Sequence, residues 1–314
     1  MRIRKPCAAQ TAGLGNIFSQ KNNKGEENET MKKILALVLV LIMALGLAAC
    51  AAPAAPAEEP TPAAEPETEK VDSQAILAEL KTPAEESNWE RTTSSQEVID
   101  FLKVVAEHSA GRIILDTTTF ATEAGTPISY MIISDVAPAS PADVPEDKGV
   151  VYVNCNIHSG EIEGKESMMI FAREVAQGKH DDLLKDLVVI IVPNSNPDGN
   201  DNLDKNRITT QFTPKLVGTR AEGNGLNVNR DMTKLETACG RTIVKLMNDW
   251  NPILFIDAHA TDGSYMRHAI TYNWGLNAGT DAELLAYNRD VFCSRALREG
   301  SYLASKGKVA VPYG

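Results

Sequence analysis

Two fragments of this chain carry residue types at spacings that suit a divalent cation. His158 and Glu161 lie three apart in Asn156-Ile157-His158-Ser159-Gly160-Glu161, just after the apolar run Val150-Val151-Tyr152-Val153. At a strand-to-helix turn, that spacing lets an imidazole nitrogen and a carboxylate oxygen reach one ion from adjacent faces. His259 closes Asp257-Ala258-His259, after a second apolar run, Ile253-Leu254-Phe255-Ile256. A histidine at that strand end completes a His, Glu, His set with one tetrahedral position open to water, the arrangement of a catalytic rather than a structural zinc site. Taken alone, each fragment reads as well as a hydrogen-bonded core histidine; the combination is what points to a metal. Asp257 either orients the His259 imidazole or caps a loop.

The elements that must position these residues alternate between strand and helix. Val98, Phe101, Leu102 and Val105 have helical spacing, and the β-rich runs 112–120 and 128–134 that follow predict an antiparallel pair. The runs 150–153, 187–192 and 253–256 are continuously apolar, as strands buried on both faces of a mostly parallel sheet are. A helical stripe of Met168, Phe171, Ala172 and Val175, closed by Gly178, separates the first two runs; Ile243, Met247 and Trp250 mark a helix before the third. The order predicts an α/β fold: a mixed, largely parallel central sheet with helices on both faces. In such sheets ligands bind beyond the carboxyl ends of the strands, where both candidate fragments lie. Cys155, Cys239 and Cys293 read as small buried hydrophobes, and Gly199 and Gly225 as turn residues with free backbones.

After the second apolar run comes Pro193-Asn194-Ser195-Asn196-Pro197-Asp198-Gly199, and later Gly225-Leu226-Asn227-Val228-Asn229-Arg230-Asp231. With H-x-x-E before them and D-x-H after them, these segments resemble the zinc carboxypeptidase family, the carboxypeptidase A-like metallopeptidases, whose N-P-D-G and L-N-R motifs occur in this order. Here the latter reads V-N-R. The resemblance runs from about Ser87 onward. It implies one zinc ion held by His158, Glu161 and His259, with Asn229 and Arg230 receiving the terminal carboxylate of a peptide, a role that suits the planar fork of arginine. It also implies an arginine that steadies the developing oxyanion, for which Arg220 is the first choice and Arg207 the alternative. The expected activity is removal of C-terminal residues from peptides or peptidoglycan-derived stem peptides by metal-activated water. A zinc deacylase of N-acyl amino acids on the same ligands, or a lipid-anchored binding protein without chemistry, are the alternatives. The family's general-base glutamate lies several dozen residues beyond the third ligand; Glu283 and Glu299 read as helix-surface residues, so that base and the last strands are expected beyond residue 314.

Composition sets the surroundings. Of 314 residues 43% are hydrophobic and 23% charged, with 42 acidic against 31 basic side chains and a formal net charge of −11. That balance leaves no general basic surface for a nucleic-acid backbone. Five scattered cysteines exclude a disulfide-framed scaffold or a cysteine-rich zinc ribbon. Residues 31–49 combine Met31-Lys32-Lys33 with a short apolar run and end at Leu47-Ala48-Ala49-Cys50, which resembles a lipoprotein signal with Cys50 as the lipidated residue. The run is shorter than the roughly 20 apolar residues of a membrane span. The sequence thus divides into an upstream extension (1–30), a signal peptide (31–49), an Ala/Pro/Glu-rich tether (50–70) and a catalytic domain (71–314), held outside the cytoplasm on a membrane by its lipid.

Overall fold

The first regular helix of the central layer, α1 (Ser95–Glu107), starts where Ser94 and Glu97 close a reciprocal capping box. Its stripe of Val98, Phe101, Leu102 and Val105 is buried, each side chain contributing about 1.5–3 kcal/mol by leaving water. Strands β1 (Ile113–Asp116) and β2 (Tyr130–Ile133) then pair antiparallel, with Ile113 opposite Ile133. Next come β3 (Gly149–Cys155), α2 (Glu163–Ala176), β4 (Leu187–Val192), the short α3 (Pro197–Asp201), α4 (Ala238–Trp250) and β7 (Leu254–Ala258). Two two-residue strands, β5 (Asp204–Lys205) and β6 (Leu216–Val217), pair antiparallel between α3 and α4.

In this computed structural model the described residues are 72–208, 211–260, 268, 270–275, 277–296 and 302–313. They fall within one compact unit, Glu69–Gly314. The extension, signal, Cys50 and the tether lie outside the described residues. Among the described residues, no helix is long and apolar enough to cross a membrane.

The main sheet has the order β1-β2-β4-β3-β7, and β3 runs parallel to both β4 and β7. Alternation along the strands sorts side chains between two cores. Val151, Val153, Val189 and Ile191 face α1 and α2, while Val150, Tyr152, Val188 and Ile190 face α4 through Ile243, Leu246 and Trp250. Helices therefore cover both faces, as the unalternating apolar runs predict. One expectation needs correcting. β7 is an edge of the described sheet, and Ile253 is 76%, Phe255 37% and Ile256 40% exposed, so this run is not buried on both faces.

Register delivers the site. Cys155 of β3 lies opposite Ala258 of β7, and Asn154 lies opposite both Val192 of β4 and Asp257 of β7. Three strands thus end side by side, and the segments after 155, 192 and 258 emerge at one end of the sheet.

Candidate metal centre

The turn after β3 is sharply bent at Asn156, whose φ of 62° is uncommon for a residue with a side chain. Its amide holds the bend: Nδ2 donates to Asn194 Oδ1 (2.8 Å) and Asn200 Oδ1 (3.0 Å). Ser159 fastens the same turn through Oγ to Asn196 O (2.9 Å), and its N–H donates to Thr219 O (3.3 Å). Asn196 caps α3 by accepting from Gly199 N (3.0 Å) and reaches Ile157 O (3.3 Å) and Arg220 O (3.4 Å) through Nδ2. The N-P-D-G segment is thus the clasp between the His158 turn and the loop that carries Arg220. Asp198 of the same motif accepts from Thr122 (2.9 Å) and Thr126 (2.6 Å). Gly199 differs from the expectation of a freely turning residue. A Cβ there would meet Thr219 O and Ala221 O at 2.7 Å, so it is required by close backbone approach. Gly218 is subject to the same constraint, with Gly199 O and Ser159 Cβ at 2.6 Å.

On this frame His158, Glu161 and His259 converge, each offering a ligand atom within 4.8 Å of the others. His158 Nδ1 is 2.8 Å from Glu161 Oε1, and His259 Nδ1 is 2.7 Å from Glu161 Oε2. The two rings stand edge to face with centroids 5.0 Å apart. Each imidazole is held from behind. His259 Nε2 lies 3.0 Å from Asp257 Oδ2, and Asp257 Oδ1 accepts from the buried Asn154 Nδ2 at 3.0 Å. His158 Nε2 lies 3.2 Å from Asn227 Oδ1. Both Nδ1 atoms thus face the one carboxylate of Glu161, and both Nε2 atoms face a side-chain oxygen on the far side.

Burial alone would push the Glu161 carboxyl upward, but the two imidazoles outweigh it and hold its pKa at about 2. His259 is pushed up to about 9, first by its bond to Asp257 and then by that to Glu161. Arg220 Nη1 lies 3.1 Å from each ring nitrogen of His158, and Nη2 lies 3.5 Å from Glu161 Oε1. Arg207 lines the same cleft but touches neither ligand and pairs with Asp204 (3.1 Å). Of the two arginines, the structure brings Arg220 to the centre. Asn229 and Arg230 sit on a short turn, Val228–Arg230, joined to the centre through Asn227, whose Oδ1 also accepts from Asn229 N (3.0 Å). Arg230 is exposed and donates to Asn229 O (2.8 Å).

A family model described as zinc carboxypeptidase matches residues 101–289. The chain belongs to the zinc carboxypeptidase family. Among solved structures, it resembles carboxypeptidase A from Helicoverpa armigera (18% identity, TM-score 0.50), over 76% of this chain and 61% of that one. It also resembles bovine thrombin-activatable fibrinolysis inhibitor, solved with a tick carboxypeptidase inhibitor (12% identity, TM-score 0.50; 72% of this chain, 78% of that one). A metallo-carboxypeptidase from Burkholderia cenocepacia matches at 19% identity and a TM-score of 0.42, over 55% of this chain and 42% of that one. This chain spans about two fifths of the length of that bacterial relative. A search of curated proteins finds no match. At these identities the solved structures establish the fold, an α/β sheet flanked by helices.

Membership of the family implies zinc, and the donor set fits it: two imidazoles whose Nδ1 atoms converge on one ionised carboxylate. Two orienting residues escaped the sequence reading. Asn154 left a signal, a polar residue inside an apolar strand that must find a partner when buried. Asn227 left none beyond its place in a motif, since its partner lies 69 residues away.

Proposed function

We propose that this zinc carboxypeptidase family member hydrolyses peptide bonds, releasing C-terminal residues from peptides or cell-wall stem peptides. The observation that carries the reading is the convergence of His158, Glu161 and His259 with both Nδ1 atoms on one carboxylate. His158, Glu161 and His259 would hold zinc, which would supply Lewis acidity toward a carbonyl oxygen and toward the attacking water. Asp257 and Asn227, each within hydrogen-bond distance of an Nε2, fix both ring planes and would leave both Nδ1 atoms to the ion. Arg220, half-exposed beside Glu161, is assigned to the oxygen of the scissile carbonyl, where a permanent cation meets the charge as it develops. Asn229 and Arg230 are assigned to the substrate's terminal carboxylate, because the Arg230 fork is exposed and has one backbone acceptor among the described residues.

Metal analysis and peptide hydrolysis on the zinc-loaded full-length protein test this reading. One zinc per chain is expected, lost in His158→Ala and in Glu161→Ala; retention of a full equivalent in either variant removes that residue from the set. Peptides with a free terminal carboxylate should be cut and amidated ones spared. Cleavage of N-acyl amino acids with peptides left intact would replace the peptidase by a deacylase. We also propose an extracytoplasmic, lipid-anchored location, supported by the Leu47-Ala48-Ala49-Cys50 sequence, so that Cys50→Ser should leave the membrane fraction.

A further inference from the structure

Beside Glu161 lies a cleft of about 330 Å³. One of its walls comprises β5 and the turn after it, with Lys205, Arg207 and Ile208 in the lining. A half-buried amide ties that wall together. Asn206 N donates to Lys215 O (2.8 Å), its Nδ2 donates to Gln211 O (3.2 Å) and Pro214 O (2.9 Å), and its Oδ1 accepts from Ile208 N (3.0 Å). Asn206 therefore fixes the backbone between its two neighbours, Lys205 and Arg207, at the edge of the cleft.

Charge on this lining is lopsided. Lys205, Arg207 and Arg220 face Asp204 and Glu161, and Glu161 is committed to the two imidazoles. Asp204 pairs with Arg207, but both are well exposed, and an exposed ion pair is worth little. The Lys205 ammonium has no hydrogen-bond or ion-pair partner among the described residues. All of this sits on a chain of net charge −11, whose long-range field repels anions. Cations gathered at the mouth of one cleft on such a chain mark a place where a negatively charged group is received.

We propose that Lys205 and Arg207 form a second carboxylate subsite, separate from Arg230, so that the protein selects peptides bearing an acidic side chain near the C-terminus. The substrate class is an acidic peptide with two carboxylates, one at the chain end and one on a side chain. This rests on the peptide-hydrolase reading given above.

The test is calorimetric binding to the zinc-loaded protein. The probes are tetrapeptide analogues with a reduced, uncleavable last bond, carrying Glu or Gln at each of the last three positions in turn. At one position at least, Glu should bind roughly tenfold more tightly than Gln, the size of one charge-assisted hydrogen bond. High salt should shrink the difference. Lys205→Gln with Arg207→Gln should abolish it, and Lys205→Glu with Arg207→Glu should invert it, with thermal unfolding midpoints showing that the variants fold. Equal affinity at all three positions, or a preference that survives both double variants, overturns the subsite. Parallel hydrolysis of ordinary peptides keeps the two readings apart. If Gln peptides are cut and no Glu preference exists, the subsite falls and the hydrolase stands. If the preference depends on Lys205 and Arg207 but nothing is cut, the hydrolase falls and the subsite stands.

Discussion

At the level of single residues, the two ligand imidazoles are oriented by unlike groups: a carboxylate, Asp257, behind His259 and a neutral amide, Asn227, behind His158. A carboxylate fixes the tautomer more firmly and makes its ring the more basic donor. Asn154 touches neither ring, yet it sets Asp257. Asn154→Ala is therefore expected to weaken zinc binding about 10–100-fold, read by competition with a chelating dye. Asn227→Asp should strengthen it. Arg220→Ala should lower kcat on the order of 10²–10³-fold while zinc content stays at one equivalent, as steady-state kinetics beside metal analysis would show. The ligand set was legible in the sequence because two ligands share one turn and the third ends an apolar run. Arg220 was already the first choice over Arg207, and the structure adds the contacts that separate them: Arg220 lies against His158 and Glu161, Arg207 against Asp204.

Among the elements, the parallel ends of β3, β4 and β7 do the positioning, and α1 braces them from behind. Asn194 Nδ2 and Asn200 Nδ2 reach Ser95 Oγ (3.0 and 3.4 Å), linking the start of α1 to the frame of the His158 turn. The cap of α1 is therefore a stability determinant close to the site. Ser94→Ala should cost about 1 kcal/mol in chemical denaturation. Within the same cap, the bidentate bond from Arg91 draws the Glu97 pKa down from 4.5 to about 2, against a smaller upward push from burial. A depressed carboxylate stabilises the fold above its unfolded pKa and loses that contribution as pH falls toward the folded one. The stability gap between the wild type and Glu97→Gln should accordingly be full above about pH 5 and close between pH 4.5 and 2, as denaturation at stepped pH would reveal. Helices and long strands were legible because their apolar periods span several residues. β5 and β6 were not, since two residues carry no period, and β7 was misjudged because composition does not distinguish an edge strand from a central one.

For the molecule as a whole, two cores on opposite faces of one sheet leave β7 with apolar side chains in solvent among the described residues. The same strand bears on folding through His259, which meets Glu161 across 98 residues of sequence. An ion shared by the two segments is a clip closing a long loop, and binding only the folded form at 1,000 times its Kd adds about 4 kcal/mol. Chelation should therefore lower the thermal midpoint and open the 193–230 connection to proteases. A digestion ladder would then report how many molecules carry their metal, without any substrate being known.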